Sequence, residues 1–355
     1  MLFLLGLASM IDAPGFLRAS IPFGWAILSA LLPLALWRKG EVTFLHWALA
    51  GFLLYALTSI LWTPWWQDGV WAVWQFALFG LAFWLGSTLS STRSILLGAA
   101  IGLWISSAAA IAQVLGDTTL LFIRAGAGLF YSPILSGETA ALVILGLVAY
   151  EEWWYILGVA PLLILSQSRG AWLALGFGLI AHYGRSWWLL AGTVFGSLAA
   201  VLVVGSPHDT LRIGIWTSAL DLLRPFGWGA GSFLALLLPG IHPEYAHNDF
   251  LQLAFEYGLG AAPLLLLLAL CAIRRTSREW PIYMAFLFMA CFSFPFYMPT
   301  TLFLGALCAG RLARDWAGVS SSASEWGYHQ LLRGGAQPSL PSCSRSKTLP
   351  IQLGT

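Results

Sequence analysis

Leu162-Leu-Ile-Leu-Ser166-Gln-Ser168-Arg169-Gly-Ala-Trp-Leu-Ala174 joins two apolar runs through a short polar turn. The runs, about 153–167 and 170–184, would each reach ~22 Å as helices at ~1.5 Å per residue. The hydrocarbon core of a bilayer is ~30 Å thick. Two helices that short, meeting at Ser166–Gly170, leave the turn below the membrane surface and inside a cavity. An arginine at membrane depth is costly and marks a functional position by default. The plainer alternative is a side chain that snorkels to the interface.

Outward from this turn the same alternation of apolar runs and polar breaks fills the chain. Of 355 residues, 59% are hydrophobic and 9% charged, against ~25% charged in soluble domains. The spans expected are 2–11 (short), 19–37, 44–62, 70–90, 94–115, 133–150, 153–167, 170–184, 187–205, 248–272, 280–293 and 299–312. The fold class is therefore all-α, a polytopic membrane protein with about twelve transmembrane helices, because only helices or closed barrels satisfy their backbone in lipid. The integral domain is expected over 1–316, with a partly helical polar loop at about 206–247. Residues 317–355, rich in Ser, Gly and Pro, read as a disordered tail. The first run lacks a basic leader and a small-residue cleavage site, and reads as a retained membrane segment.

Arg38, Lys39, Arg93, Arg185, Arg274, Arg275, Arg278, Arg311 and Arg314 fall in one set of alternate loops. Arg18, Arg124, Arg169, Arg212 and Arg224 fall in the other. The positive-inside rule makes the richer set cytoplasmic. Both termini are then expected inside, and the long loop and the Arg169 turn on the opposite, outer face. Contacts with membrane lipids follow from such a chain.

The chemistry-bearing residues cluster on that outer face. Ser168 can cap the helix that follows, whose N-terminus carries partial positive charge. Arg169 adds a full charge and a bidentate fork, and together they make a site for phosphate. In the loop, Asp209 reads as an N-cap and Leu211–Leu223 as an interfacial amphipathic helix. Arg212 in its first turn would oppose the helix dipole, a conflict that a bound anion removes; contact with lipid headgroups is the alternative. Arg224 suits the end of that helix. Gly227-Trp-Gly-Ala-Gly231 reads as a flexible tight bend. His247 stands at the entrance of the next helix, where a helix N-terminus favours a neutral imidazole. A neutral imidazole can act as a general base; the plainer alternative is a capping or interface histidine. Asn248 and Asp249 follow it, and Glu256 lies two turns further on, inside a span. An acid there is expected to pair with a buried arginine or to act directly. Glu138 and Arg124 are further polar positions, the latter a candidate for substrate phosphate or lipid headgroups.

Several classes are excluded. Cys271, Cys291, Cys308 and Cys343 form no close pair, and no metal-ligand or nucleophile-elbow motif is present. No metal and no cofactor are expected. The basic residues are arginine except for Lys39 and Lys347, and no nucleic-acid surface is expected.

Taken in order, Ser166-Gln-Ser-Arg169-Gly-Ala-Trp-Leu-Ala, Arg212-Ile-Gly-Ile-Trp216, Gly227-Trp-Gly-Ala-Gly-Ser-Phe233 and His247-Asn-Asp-Phe-Leu-Gln-Leu-Ala-Phe-Glu-Tyr-Gly258 resemble the bacterial O-antigen ligase and O-antigen polymerase family. Gly128–Pro133 and Phe294–Pro299 resemble its flanking elements. The resemblance implies a metal-independent membrane glycosyltransferase that takes a glycan from undecaprenyl diphosphate at the periplasmic face. Ligases pass it to lipid A–core, polymerases to another carrier-linked repeat, and related members to pilin protein. By position, Arg169 and Arg212 would hold the diphosphate and His247 would activate the acceptor hydroxyl. The short loop leaves the acceptor more open than the chemistry. The reading from a different class is a small-anion transporter. It would need polar residues along the inner half of the membrane, where the sequence has almost none.

Overall fold

The computed structural model describes residues 2–9, 28–30, 39–116, 127–130, 132–184, 207–235, 245–275 and 277–332, with side chains left aside at 207–210, 234–235 and 317–332. Every regular element among the described residues is helical, with no strand. In chain order these are α1 (Leu2–Ser9), α2 (Phe44–Ser59), α3 (Trp66–Thr88), α4 (Arg93–Leu115), α5 (Pro133–Ala149), α6 (Trp153–Ser166), α7 (Arg169–Tyr183), α8 (Pro207–Asp221), α9 (Asp249–Tyr257), α10 (Ala262–Ile273), α11 (Trp280–Ala290) and α12 (Pro299–Leu332). Among the described residues, four stretches are long and apolar enough to cross a membrane: Phe44–Trp62, Trp66–Thr88, Arg93–Leu115 and Asp249–Ile273. Large apolar side chains such as Trp154 (80% exposed) and Leu157 face outward from the protein, as lipid contact requires.

The expected spans fall within a few residues of these helices where both can be compared. The span at 187–205 and most of that at 19–37 lie outside the described residues. The last helix differs. It was expected to stop near 312, ahead of a disordered tail, yet residues 317–332 are helical. No proline occurs between Pro299 and Pro338 to remove a helical hydrogen bond. The chain divides into two units, 1–317 and 318–355, and the architecture that follows belongs to the first.

α5 is the centre. Every residue from Leu135 to Ala149 is buried, the pattern of a helix apolar on all sides. Ser132 caps it through a bond from the Ile134 backbone, and Pro133 sits at its start, where a missing N–H costs nothing. It packs against α4, α6, α7 and α11. Glycines let other helices touch backbone to backbone, as in membrane bundles. Gly6 and Gly98 do so between α1 and α4, and Gly86 and Gly310 between α3 and α12.

One end of the unit is tied by a buried carboxylate. Glu279, just before α11, accepts from the Tyr150 and Ser277 hydroxyls and from Thr92 Oγ1 at 2.9 Å. Burial alone would raise its pKa, but the bonds from Ser277, Tyr150 and Thr92 outweigh it and hold the carboxyl below its usual 4.5. Because the folded value lies below the unfolded one, this stabilisation is present above pH 4.5 and is lost as pH falls through the folded value. Glu279→Ala should cost ~1–3 kcal/mol for each buried donor it strands. Thermal melts in detergent at pH 7 and pH 4 test this. The variant should melt well below wild type at pH 7, with the gap narrowing at pH 4; equal melting at pH 7 would contradict the clamp.

Arg93, Arg274, Arg278 and Arg311 gather at this end, against Glu152, Trp316, Tyr150 and the Ser90 carbonyl respectively. The start of α7, the inner face of α8 and the start of α9 lie at the other end.

Candidate functional site

The quoted turn is tight and internally bonded. Gln167 is left-handed at φ 50°. The Ser166 hydroxyl donates to the Leu163 carbonyl at 2.7 Å and accepts from the Ser168 backbone at 3.2 Å. Ser168 caps α7 as expected, its hydroxyl accepting from the Ala171 backbone at 3.3 Å. Both serines are buried, whereas Arg169 is exposed on the protein surface. Burial at this turn is carried by its serines.

What lies beneath the turn comes from α5. A β-carbon on Gly137 would press on Ser166 Oγ, so the missing side chain lets α5 meet the turn directly. The next residue, Glu138, is 2% exposed. Its carboxyl lies 3.7 Å from where a β-carbon on Gly170 would stand, and the Ser293 hydroxyl bonds to it. The positive end of α7, read from sequence as a phosphate site, therefore meets a carboxyl of the protein itself on its inner side.

α8 starts at Pro207 and ends at Asp221, earlier at both ends than expected. Proline is favoured at a helix start, so Asp209 lies inside the helix and Arg212 is its sixth residue. Dipole effects fade beyond the first turn, and the expected conflict that an anion would relieve is not present. Arg212 earns its place differently. It shares the inward face of α8 with Ile215, Trp216 and Ala219, at the i, i+3, i+4, i+7 spacing. That face packs on Phe233, Ala246, Leu251 and Phe255. Trp216 Nε1 donates to the Ala246 carbonyl at 2.7 Å, pinning α8 to the turn that carries His247.

His247 adopts φ 51°, the left-handed region, which few non-glycine residues enter without local support. Its ring meets Phe294 edge-on, centroids 5.1 Å apart, and Phe294 stacks on Tyr245 at 4.7 Å. Its Nδ1 is buried with no hydrogen-bond partner among the described residues. Burial first, and the Arg212 charge second, push its pKa down from 6.5 to about 4. A neutral imidazole was expected, but from a helix N-terminus. The causes are instead burial and Arg212, because α9 begins two residues later.

Asn248 is the N-cap of α9, its Oδ1 accepting from the Leu251 backbone at 3.0 Å. Asp249 is fully buried and accepts from the Phe296 backbone at 2.9 Å through Oδ2; Oδ1 has no partner among the described residues. Glu256 was expected to pair with a buried arginine, and no such pair occurs among the described residues. Its Oε1 accepts from Gln252 Nε2 at 3.1 Å, and its Oε2 accepts from the Gly231 backbone at 3.2 Å and from the Tyr297 hydroxyl at 3.5 Å. Neutral donors satisfy it without a second buried charge.

The glycine-rich bend, expected to be flexible, is held by its backbone. Trp228 N and Gly229 N donate to the Phe255 and Glu256 carbonyls at 3.0 and 2.8 Å. Gly227, Gly229 and Gly231 all have positive φ, which is why glycine occupies each. Arg224 stacks on the Trp228 ring at 3.2 Å, a cation–π contact rather than a helix-end role.

Arg212 is near enough to act electrostatically on both His247 and Glu138, and Asp249 feels the charges of Glu138 and Glu256. Arg124 lies outside the described residues. No group of three or more His, Cys, Asp or Glu suited to a metal occurs among the described residues. Gln252 and Ser293 are site residues that the sequence reading did not single out, and Glu138 was named there only as a further polar position. Gln252 was within reach of it: Asp249, Gln252 and Glu256 form a polar stripe on one face of α9. No protein-family model matches the chain, and no curated protein matches it in sequence.

Proposed function

We propose that this protein is a membrane glycosyltransferase that moves a glycan from a polyprenyl diphosphate, of the undecaprenyl type, to an acceptor hydroxyl. In this reading the chain crosses a bacterial inner membrane about twelve times, both termini are cytoplasmic, and the site faces the periplasm. The acceptor oxygen attacks the anomeric carbon, and His247 takes the hydroxyl proton. The bond from that carbon to the diphosphate oxygen breaks, and the diphosphate leaves on its carrier. Arg212 and Arg169 supply the positive charge that a departing diphosphate needs. The observation that carries the reading is the pairing of Arg212 with a neutral, left-handed His247 on elements pinned together by Trp216.

A ligase acting on lipid A–core is the leading form; a polymerase and a pilin transferase use the same chemistry. Purified protein should be assayed with a polyprenyl-diphosphate glycan and each acceptor in turn. Arg212→Ala is expected to lower kcat by ~10²–10³-fold, the loss typical of removing one group that stabilises developing charge. Arg169→Lys should also be impaired, since an ammonium cannot hold phosphate oxygens bidentately. Full activity in Arg169→Ala, Arg212→Ala and His247→Ala alike would overturn the mechanism.

A further inference from the structure

At the left-handed turn of His247, Asn248 is occupied as a cap and the imidazole Nδ1 has no hydrogen-bond partner among the described residues. The backbone before it is gripped from two sides. The Ala246 carbonyl accepts from Trp216, and the Ala246 N–H donates to Gln252 Oε1 at 3.0 Å. A backbone N–H can only donate, so it fixes which end of the Gln252 amide faces it. The amide nitrogen must then point at Glu256, where it donates to Oε1 at 3.1 Å. Gln252 and Glu256 are 3% and 1% exposed. In so dry a setting a broken link strands two polar groups at once. Glu256 in turn is bonded by the Gly231 backbone and Tyr297. A chain of contacts therefore runs from the bend and the 3₁₀ turn Pro295–Tyr297, through Glu256 and Gln252, to the residue before His247.

We infer that Gln252 is a positioning residue: its side-chain amide holds the His247 turn to Glu256 and so fixes the imidazole against Phe294. This rests on the proposed role of His247 for its catalytic consequence, but not for its structural content. The reach of the effect is set by catalytic geometry, where a misplacement of ~1 Å can cost ~10²-fold.

Two readouts test it on the full-length protein in detergent. In the first, ¹³C-labelled histidine reports the ring-current shift that Phe294 imposes on His247, the signal being assigned by its loss in His247→Gln. Gln252→Leu fills the same space without the bonds, and should move that signal toward the position of a solvent-exposed histidine. In the second, transfer kinetics should show kcat lowered ~10–100-fold with KM nearly unchanged. Gln252→Glu alone sets two carboxyls side by side and should be impaired as well. Combining it with Glu256→Gln restores one amide and one carboxyl between Ala246 and Gly231, and should recover both the signal and most of the rate. An unmoved His247 signal in Gln252→Leu overturns the inference. Should that variant not fold, an exchanged pair no better than Gln252→Glu overturns it instead. A wild type that transfers no glycan, with the His247 signal still moving in Gln252→Leu, would overturn the proposed function and leave the positioning intact.

Discussion

His247→Gln is expected to abolish most of the proposed glycan transfer, by ~10²–10⁴-fold in kcat, the range for removing a positioned general base. Glutamine keeps much of the volume beside Phe294 and can still donate, but it cannot take a proton. The pH profile is the sharper measurement. A base must be unprotonated, and burial with the Arg212 charge keeps this imidazole neutral down to about 4. The acid limb of wild-type activity due to this group should therefore fall near pH 4, with no inflection at 6.5. Arg212→Ala should move that limb upward, since it removes one of the two causes of the depression. Linkage gives a second consequence with a definite sign. The unfolded chain binds a proton at 6.5 and the folded one only at about 4, so His247 lowers stability as pH drops from 6.5 to 4. His247→Gln should flatten that part of the stability profile. Wild-type-like activity in His247→Gln would remove the histidine from the mechanism.

The second large effect is on the fold. Gly86 lies against the Leu307 carbonyl and Gly310 against the Phe83 carbonyl, so α3 and α12 meet at two backbone contacts one turn apart. A β-carbon at either glycine has no flexible side chain to displace, only backbone. Gly310→Leu is expected to cost ~3 kcal/mol or more, and Gly310→Ala ~1–3 kcal/mol, the range for overpacking a filled interior. Gly86 substitutions should behave alike, and the double variant should lose less than the sum because both act on one interface. Gly51→Ala is the control: nothing stands within 4 Å of its added carbon, and alanine favours a helix by ~1 kcal/mol over glycine. Heat treatment followed by size exclusion in detergent separates the three outcomes. A Gly310→Leu protein that melts with wild type would show that α3 and α12 do not cross there.

How much of this was legible in the sequence depended on how local the cause was. Ser168 as a cap and most of the apolar helices among the described residues follow from residues within one turn, and there the sequence reading agrees with the structure. The two sets of arginines also separate to opposite ends where both are described. Pro207 was a visible start signal for α8 and was passed over in favour of Asp209, which misplaced Arg212 relative to the helix dipole. Glu138 could not be placed, because a helix that is apolar all round gives no face to which its polar residues can be assigned. The partners of Glu256 were unreadable for a different reason. Gly231 and Tyr297 lie in distant segments, and an acid in a span suggests a missing cation more readily than a set of neutral donors. Arg169 drew attention as a charge at membrane depth, while the burial of Ser166 and Ser168 at the same turn depends on contact with α5, a separate segment of the chain.

The central position of α5 has a consequence for how the protein is made. A helix packed against α4, α6, α7 and α11 is buried from Leu135 to Ala149 in the finished molecule, and its Glu138 depends on that shelter. Of its four neighbours only α4 precedes it in the chain; α6 and α7 follow at once, and α11 comes much later. The segment that carries Glu138 must therefore wait, partly unsheltered, for partners not yet synthesised.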